Sequence, residues 1–234
     1  MIEEEPSLSD TLIEAARPVA RSYFDDSVGP AHDWYHVERV ERLALELATE
    51  RAADEGEHAT DEAVNRRILS LATLLHDIGR PGEETGEVDD HATWGAREAR
   101  GILDDLGAEA STIRSVEHAI RAHRYSNDVE PETIEAKLLS DADNLDALGA
   151  IGIARCFSYG GENGVPIHDP NLPVESDPDP VGSTGVNHLR TKILSLPDRM
   201  YTSAGHRRAI ERRAFVETFL ERLEAECEGT QRKM

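Results

Sequence analysis

The sequence predicts an all-α protein. Apolar residues recur at three- and four-residue spacing along most of the chain, no stretch alternates with period two, and glycine or proline closes the periodic runs. No internal repeat and no low-complexity tract interrupts this pattern.

Each element follows from its own residues. Leu8, Leu12, Ala15, Ala16, Val19 and Phe24 place a first helix over 8–24, and Val37, Val40, Leu43, Ala44 and Leu47 place a second from Trp34 to about Ala53. In that second helix, Asp33 serves as N-cap or first-turn acid. A third helix runs from Asp61 to Asp77, with Ile68, Leu71, Ala72 and Leu75 as its apolar stripe. Gly79 and Pro81 stop it, which puts His76 and Asp77, half-buried, in its last turn. The acidic stretch RPGEETGEVDD reads as a polar loop.

Further helices are expected over His91–Leu106, Ser111–His123 and Pro131–Leu148, the last with proline in its first turn. The small-residue run GAIGIARCFSYGG forms one more, ending at Gly160-Gly161. Residues 161–185, rich in Pro, Gly and Asp, form a loop long enough to serve as a lid or interface arm. Val186–Leu196 and Ser203–Glu226 close the chain as two more helices. With no linker near the middle, the 234 residues make one domain: a core over about 31–160, the 161–185 loop, and C-terminal helices over 186–226.

Composition excludes several roles. Forty-seven Asp and Glu against 25 Lys and Arg leave a net charge of −22, and Lys137, Lys192 and Lys233 are the only lysines. Such a surface does not fit double-stranded nucleic acid, which needs clustered cations, but a nucleotide needs only a few in one cleft. It resembles the surfaces of salt-adapted proteins, where salt screens self-repulsion within a few ångströms. Two cysteines, Cys156 and Cys227, are too few for a disulfide framework and read as reduced thiols. No apolar run reaches the ~18 residues that a membrane span needs. With an acidic N-terminus, these features point to a cytoplasmic protein.

The chemistry concentrates in histidine and aspartate. Ten histidines are present. His32 and His36 stand four apart, His76 and Asp77 are adjacent, His91 opens a helix, and His118 and His123 lie on another. Asp141, Asp143 and Asp146 sit in a run otherwise apolar, where burial is costly without a cation. Mixed imidazole and carboxylate donors suit Mn, Fe, Co, Ni or Zn, with Mg possible where oxygens dominate.

These residues resemble the signature of the HD-domain metal-dependent phosphohydrolases. The contexts HVERV, LLHDIGR and DADNLDALGA carry it. The resemblance implies an HD-domain helical bundle in which His36, His76, Asp77 and Asp141 hold a divalent metal, with Mn leading. It implies that His91 and His123 either bind a second metal or face the substrate's phosphates. Over about 31–224, DADNLDALGAIGIARCFSYGG and VNHLRTKIL resemble a branch that includes enzymes cleaving nucleoside triphosphates to monophosphate and pyrophosphate.

The expected function is therefore phosphohydrolysis of a nucleotide by metal-activated water, with Asp77, His91 and His123 as the catalytic group. Arg80, Arg124, Arg155 and Lys192 are the cations expected on the phosphates. Alternatives in the same class are a 5′-nucleotidase and a cyclic-nucleotide phosphodiesterase. A dinuclear iron oxygenase and a regulatory HD module stand outside it. Neither His32 nor His118 is expected to ligate metal, and His58, His168 and His206 are expected to face solvent. Trp34, Trp94, Phe157 and Tyr159 are read as core, and Asp143 and Asp146 as ligand-orienting groups or arginine partners. A homodimer is compatible with all of this.

The charge balance makes one prediction. Helical circular dichroism should fall as KCl is dialysed away and return when it is restored; folding unchanged in salt-free buffer would refute the salt dependence.

Overall fold

The computed structural model describes residues 8–24, 28–55, 63–124 and 129–229. His58 and the expected helix start at Asp61 lie outside these. Among the described residues there are ten α-helices and no strand, so the predicted class is the observed one. None of the described helices is long and apolar enough to cross a membrane. The chain divides into two compact units, 1–143 and 144–234.

The first unit is built around a short central helix. It contains α1 (Leu8–Arg21), α2 (Trp34–Glu55), α3 (Arg66–Leu75), α4 (Arg80–Thr85), α5 (His91–Asp105) and α6 (Ala110–His123). The helix α7 (Ile134–Asp146) begins here and carries the chain into the second unit. Every residue from Leu69 to Leu75 is buried. That total burial follows from α3 touching α1, α2, α5 and α6. Where α1 and α2 have one apolar stripe each, α3 is buried on every face from Leu69 onward, with Ser70 and Thr73 as its buried polar residues.

Local capping decides where the helices start. The Asp33 carboxylate accepts from the His36 N–H at 3.0 Å, Asn65 Oδ1 from the Ile68 N–H at 3.2 Å, and Asp90 Oδ1 from the Thr93 N–H at 2.6 Å. Each satisfies one amide that the first turn would otherwise leave bare. Asp33 and Asp90 thereby fix the starts from which His36 and His91 project.

The segment after α3 differs from the sequence expectation. The helix ends at Leu75, His76 is its C-cap, and residues 76–79 form a turn. Pro81 then opens α4 instead of ending α3, because proline fits the first turn of a helix as well as the position beyond a C-terminus. His76 and Asp77 are buried outright, at 0% and 2% exposed, not half-buried. α7 starts at Ile134, three residues beyond the expected Pro131.

The second unit contains α8 (Gly149–Glu162), α9 (Gly185–Thr191), a 3-10 helix over Ile193–Arg199 and α10 (Ser203–Cys227). The expected helix over 186–196 is thus an α-helix that tightens into 3-10 after Thr191. Phe157 of α8 packs on Phe219 of α10 with ring centroids 5.9 Å apart. Gly149 has φ +71, and the stem of Arg212 lies over it where a side chain would go.

Between α8 and α9 the chain is irregular apart from a 3-10 turn at Val174–Ser176. It is tied internally: Asp177 accepts from the Ser183 N–H at 2.8 Å and from Asn187 Nδ2 at 2.7 Å. Gly185 N and Val186 N donate back to the carbonyls of Pro166 and Ile167.

The two thiols differ in environment. Burial pushes the Cys156 thiol up to about 11, and Cys227 is exposed at the end of α10. Ellman's reagent at pH 8 should titrate one thiol rapidly and one slowly, with the fast one lost in Cys227→Ser. Equal rates would contradict the partial burial of Cys156.

Candidate metal centre

Five elements of the first unit deliver donors to one buried place. His36 comes from the first turn of α2, His76 and Asp77 from the turn after α3, His91 from the start of α5, His123 from the end of α6, and Asp143 from α7. All four histidines are at most 3% exposed.

The donor atoms form two groups, His36–His76–Asp143 and Asp77–His91–His123, each within 4.8 Å. His36 Nε2 lies 3.4 Å from His76 Nε2, 3.4 Å from Asp143 Oδ1 and 3.6 Å from Asp77 Oδ2. On the other side, Asp77 Oδ1 lies 3.4 Å from His91 Nε2 and 3.6 Å from His123 Nε2. The two carboxylate oxygens of Asp77 therefore face different groups. Donors on a cation with bonds of about 2.1 Å stand roughly 3–3.4 Å apart along the edges of an octahedron or tetrahedron. The observed spacings are close to those edges.

Hydrogen bonds at the far side of the rings set which nitrogen faces inward. His76 Nδ1 donates to the Thr73 carbonyl at 2.7 Å, His123 Nδ1 to the Ile120 carbonyl at 2.6 Å, and His91 Nδ1 to Glu83 Oε2 at 2.8 Å. With Nδ1–H committed outward, each Nε2 turns a lone pair toward the centre, the tautomer that a metal-ligating imidazole needs.

At His76 and His91 the charge states agree with that arrangement. Burial lowers His76 and His91 to about 4, so both are neutral at pH 7. For Asp77, burial works upward, but His76 and Arg80 outweigh it and hold the carboxyl well below the usual range. Burial likewise opposes the charge on Asp143, and His36 beside it brings its carboxyl down. His123 goes the other way: burial lowers it, but the Asp77 carboxylate raises it.

A cation fits this donor set on direct grounds. Asp77 Oδ1 and His91 Nε2 are buried and lack any hydrogen-bond partner. Both present lone pairs, 3.4 Å apart, on residues that are 2% and 0% exposed. Such an arrangement costs on the order of 1–3 kcal/mol per unmatched group, and a divalent ion between them satisfies both.

The other residues singled out in the sequence fall into place as follows. Asp141 is fully buried on α7, but Asp143 supplies the oxygen beside His36. Two residues along a helix are about 200° apart in direction, so Asp141 and Asp143 leave α7 on different sides. Arg80 Nη1 donates to Glu83 at 2.8 Å, and its Nε is 3.8 Å from Asp77 Oδ2. Arg124 Nη1 donates to Glu83 at 2.7 Å and to Asp90 at 2.8 Å. Arg155 pairs with Asp146 at 2.9 Å within the second unit, which also contains Lys192. His32 Nδ1 stands 3.2 Å from Glu84, and His118 Nε2 accepts the Glu132 N–H at 3.0 Å.

Glu83 was not foreseen, because RPGEETGEVDD carries only the signals of a polar loop. The one hint in the sequence is its place, two residues after Pro81 and eight before His91.

An all-helical unit that converges four buried imidazoles and two carboxylates on one place is suited to a divalent metal. The HD domain family matches residues 33–148, which contain every one of these donors. An HD-superfamily hydrolase from Bacillus thuringiensis is 33% identical, with 94% of this chain and 98% of that one aligned at a TM-score of 0.68. A predicted HD-superfamily hydrolase from an uncultured Thermotogales bacterium is 31% identical, covering 96% and 95% at 0.61. YpgQ of Bacillus subtilis is 29% identical over 209 residues, 88% of each chain. Its crystal structure in complex with ADP aligns at a TM-score of 0.69 and 25% identity, over 93% of this chain and 96% of that one. The chain belongs to the HD superfamily.

Gly79 is the tightest point near the donors. A Cβ there would stand 2.5 Å from the His91 carbonyl oxygen and 3.0 Å from its Cα, both backbone atoms that cannot swing away. Gly79→Ala should cost about 1–3 kcal/mol in urea denaturation through overpacking. A neutral result would mean that α5 can shift away at no cost.

Proposed function

We propose that the chain is a metal-dependent phosphohydrolase acting on nucleotides, cleaving a nucleoside triphosphate to the monophosphate and pyrophosphate. The observation that carries it is the Asp77 carboxylate, whose two oxygens face two donor groups, one of His36, His76 and Asp143, the other of His91 and His123. His36, His76, Asp77 and Asp143 would hold one cation and Asp77, His91 and His123 a second. When bound, such ions supply Lewis acidity at a phosphoryl oxygen and an activated water. Manganese fits the mixed nitrogen and oxygen donors, and Fe, Co, Ni, Zn and Mg remain outcomes of the metal assay.

The chain's own groups do the rest. Burial shields the four imidazoles and Asp77 from bulk solvent, and the outward Nδ1 bonds of His76, His91 and His123 hold those rings in register before substrate arrives. Arg80 Nε is buried without a hydrogen-bond partner beside Asp77, which makes it the nearest donor for a phosphoryl oxygen. The nucleotide assignment is supported by the ADP bound to YpgQ.

The test is product analysis with Mn²⁺ in molar KCl against nucleoside tri- and monophosphates, with Asp77→Ala run beside the wild type. Pyrophosphate from triphosphates, reduced to background in the variant, is expected. Orthophosphate from monophosphates would instead mark a nucleotidase, and silence on every phosphoester would sink the reading.

Metal counts settle the α7 ligand. Asp143→Asn should lose Mn²⁺ in equilibrium dialysis, whereas Asp141→Asn should retain it; the reverse would return the role to Asp141. A carboxylate-bridged pair of donor groups also suits two irons. Iron in the purified protein with oxygen consumed on a polyol or phosphonate would favour an oxygenase.

A further inference from the structure

We infer that Glu83 is a positioning residue that fixes the tautomer of His91 and so keeps the second donor group able to take a cation. This rests on the metal-centre reading above for its consequence, but not for its geometry.

Glu83 lies on α4, the helix that Pro81 opens, and its side chain is 18% exposed. Its Oε2 accepts from His91 Nδ1 and from Arg80 Nη1, each at 2.8 Å. Its Oε1 accepts from Arg124 Nη1 at 2.7 Å and from the His91 backbone N–H at 3.4 Å. Four donors thus converge on one carboxylate, two of them from His91 itself. Only an anion with two acceptor oxygens matches them all.

The alternative proton position is within reach. A proton on His91 Nε2 would lie on the side of Asp77 Oδ1, the acceptor 3.4 Å away there, although the two atoms make no hydrogen bond as they stand. The neutral imidazole therefore has two acceptors competing for one proton, Glu83 outside and Asp77 inside. If Asp77 took it, the lone pair at Nε2 would be lost and so would the donor. Glu83, at 2.8 Å and braced by two guanidinium groups, is the closer acceptor and the one that the ring is hydrogen-bonded to. Outer groups that fix a ligand's orientation in this way are worth roughly 10–100-fold in metal affinity.

The test reads the tautomer directly in the metal-free full chain. Long-range ¹H–¹⁵N spectra of the histidine rings, with the His91 signals assigned by their loss in His91→Gln, should show Nδ1–H in the wild type. Glu83→Ala should move the proton to Nε2. Glu83→Gln should keep it on Nδ1, because the amide oxygen still accepts. Arg124→Gln, which leaves Oε2 in place, should also keep it, and covers the case in which Glu83→Ala does not fold. Mn²⁺ titration should then find the weaker of two binding steps reduced roughly 10–100-fold in Glu83→Ala, with the stronger step unchanged.

An Nε2–H wild type, or a Glu83→Ala spectrum with Nδ1–H retained, overturns the inference. A Glu83-dependent tautomer in a wild type that takes up no Mn²⁺ upholds the positioning and overturns the metal reading instead.

Discussion

One carboxylate holds the first unit's polar interior together. Asp77 sits at the middle of four imidazoles, all within 3.4–3.7 Å of one or other of its oxygens. A charge at 2% exposure is tolerable only where opposite charge or a cation meets it. Much around it can be read as the means of meeting it. The turn at 76–79 delivers it, Gly79 lets α5 approach closely enough to bring His91, and the caps at Asp33 and Asp90 start the helices that present His36 and His91.

The apolar frame matters because it makes these contacts rigid. Leu69, Leu71, Leu74 and Leu75 before the turn, and Ile78 within it, are essentially without exposure. Interiors of this kind are close-packed, so the backbone at 76–79 has little room to shift. Rigidity there has a chemical use: donor spacings near those of a coordination sphere are set before any ion arrives. The same burial keeps His76 and His91 neutral, the state in which an imidazole can ligate.

Charge is organised on two scales. The chain as a whole is strongly acidic, at −22, yet around the donors each acid has a local counterpart. Arg80 serves Asp77 and Glu83, and Arg124 serves Glu83 and Asp90. These pairs are partly exposed, so as individual contacts they stabilise little. Their larger effect is geometric, through the orientation of Glu83 and of the ring it holds.

Periodicity alone determined the all-helical class and placed nine of the helices to within a few residues, because burial of one face leaves a direct trace in residue spacing. The histidines and Asp77 were also legible, since polar groups inside apolar runs stand out and their order resembles a known family. Three things were decided only by the tertiary structure. Asp143 brings an oxygen to 3.4 Å from His36 Nε2 although Asp141 is the more deeply buried of the two, and nothing in DADNLD, where both aspartates look alike, marks it out. Pro81 begins a helix where local signals read a stop, because proline has the same preference for either side of the break. Glu83 takes its role only through contacts with residues 8 and 41 positions away, and no spacing rule reaches that far.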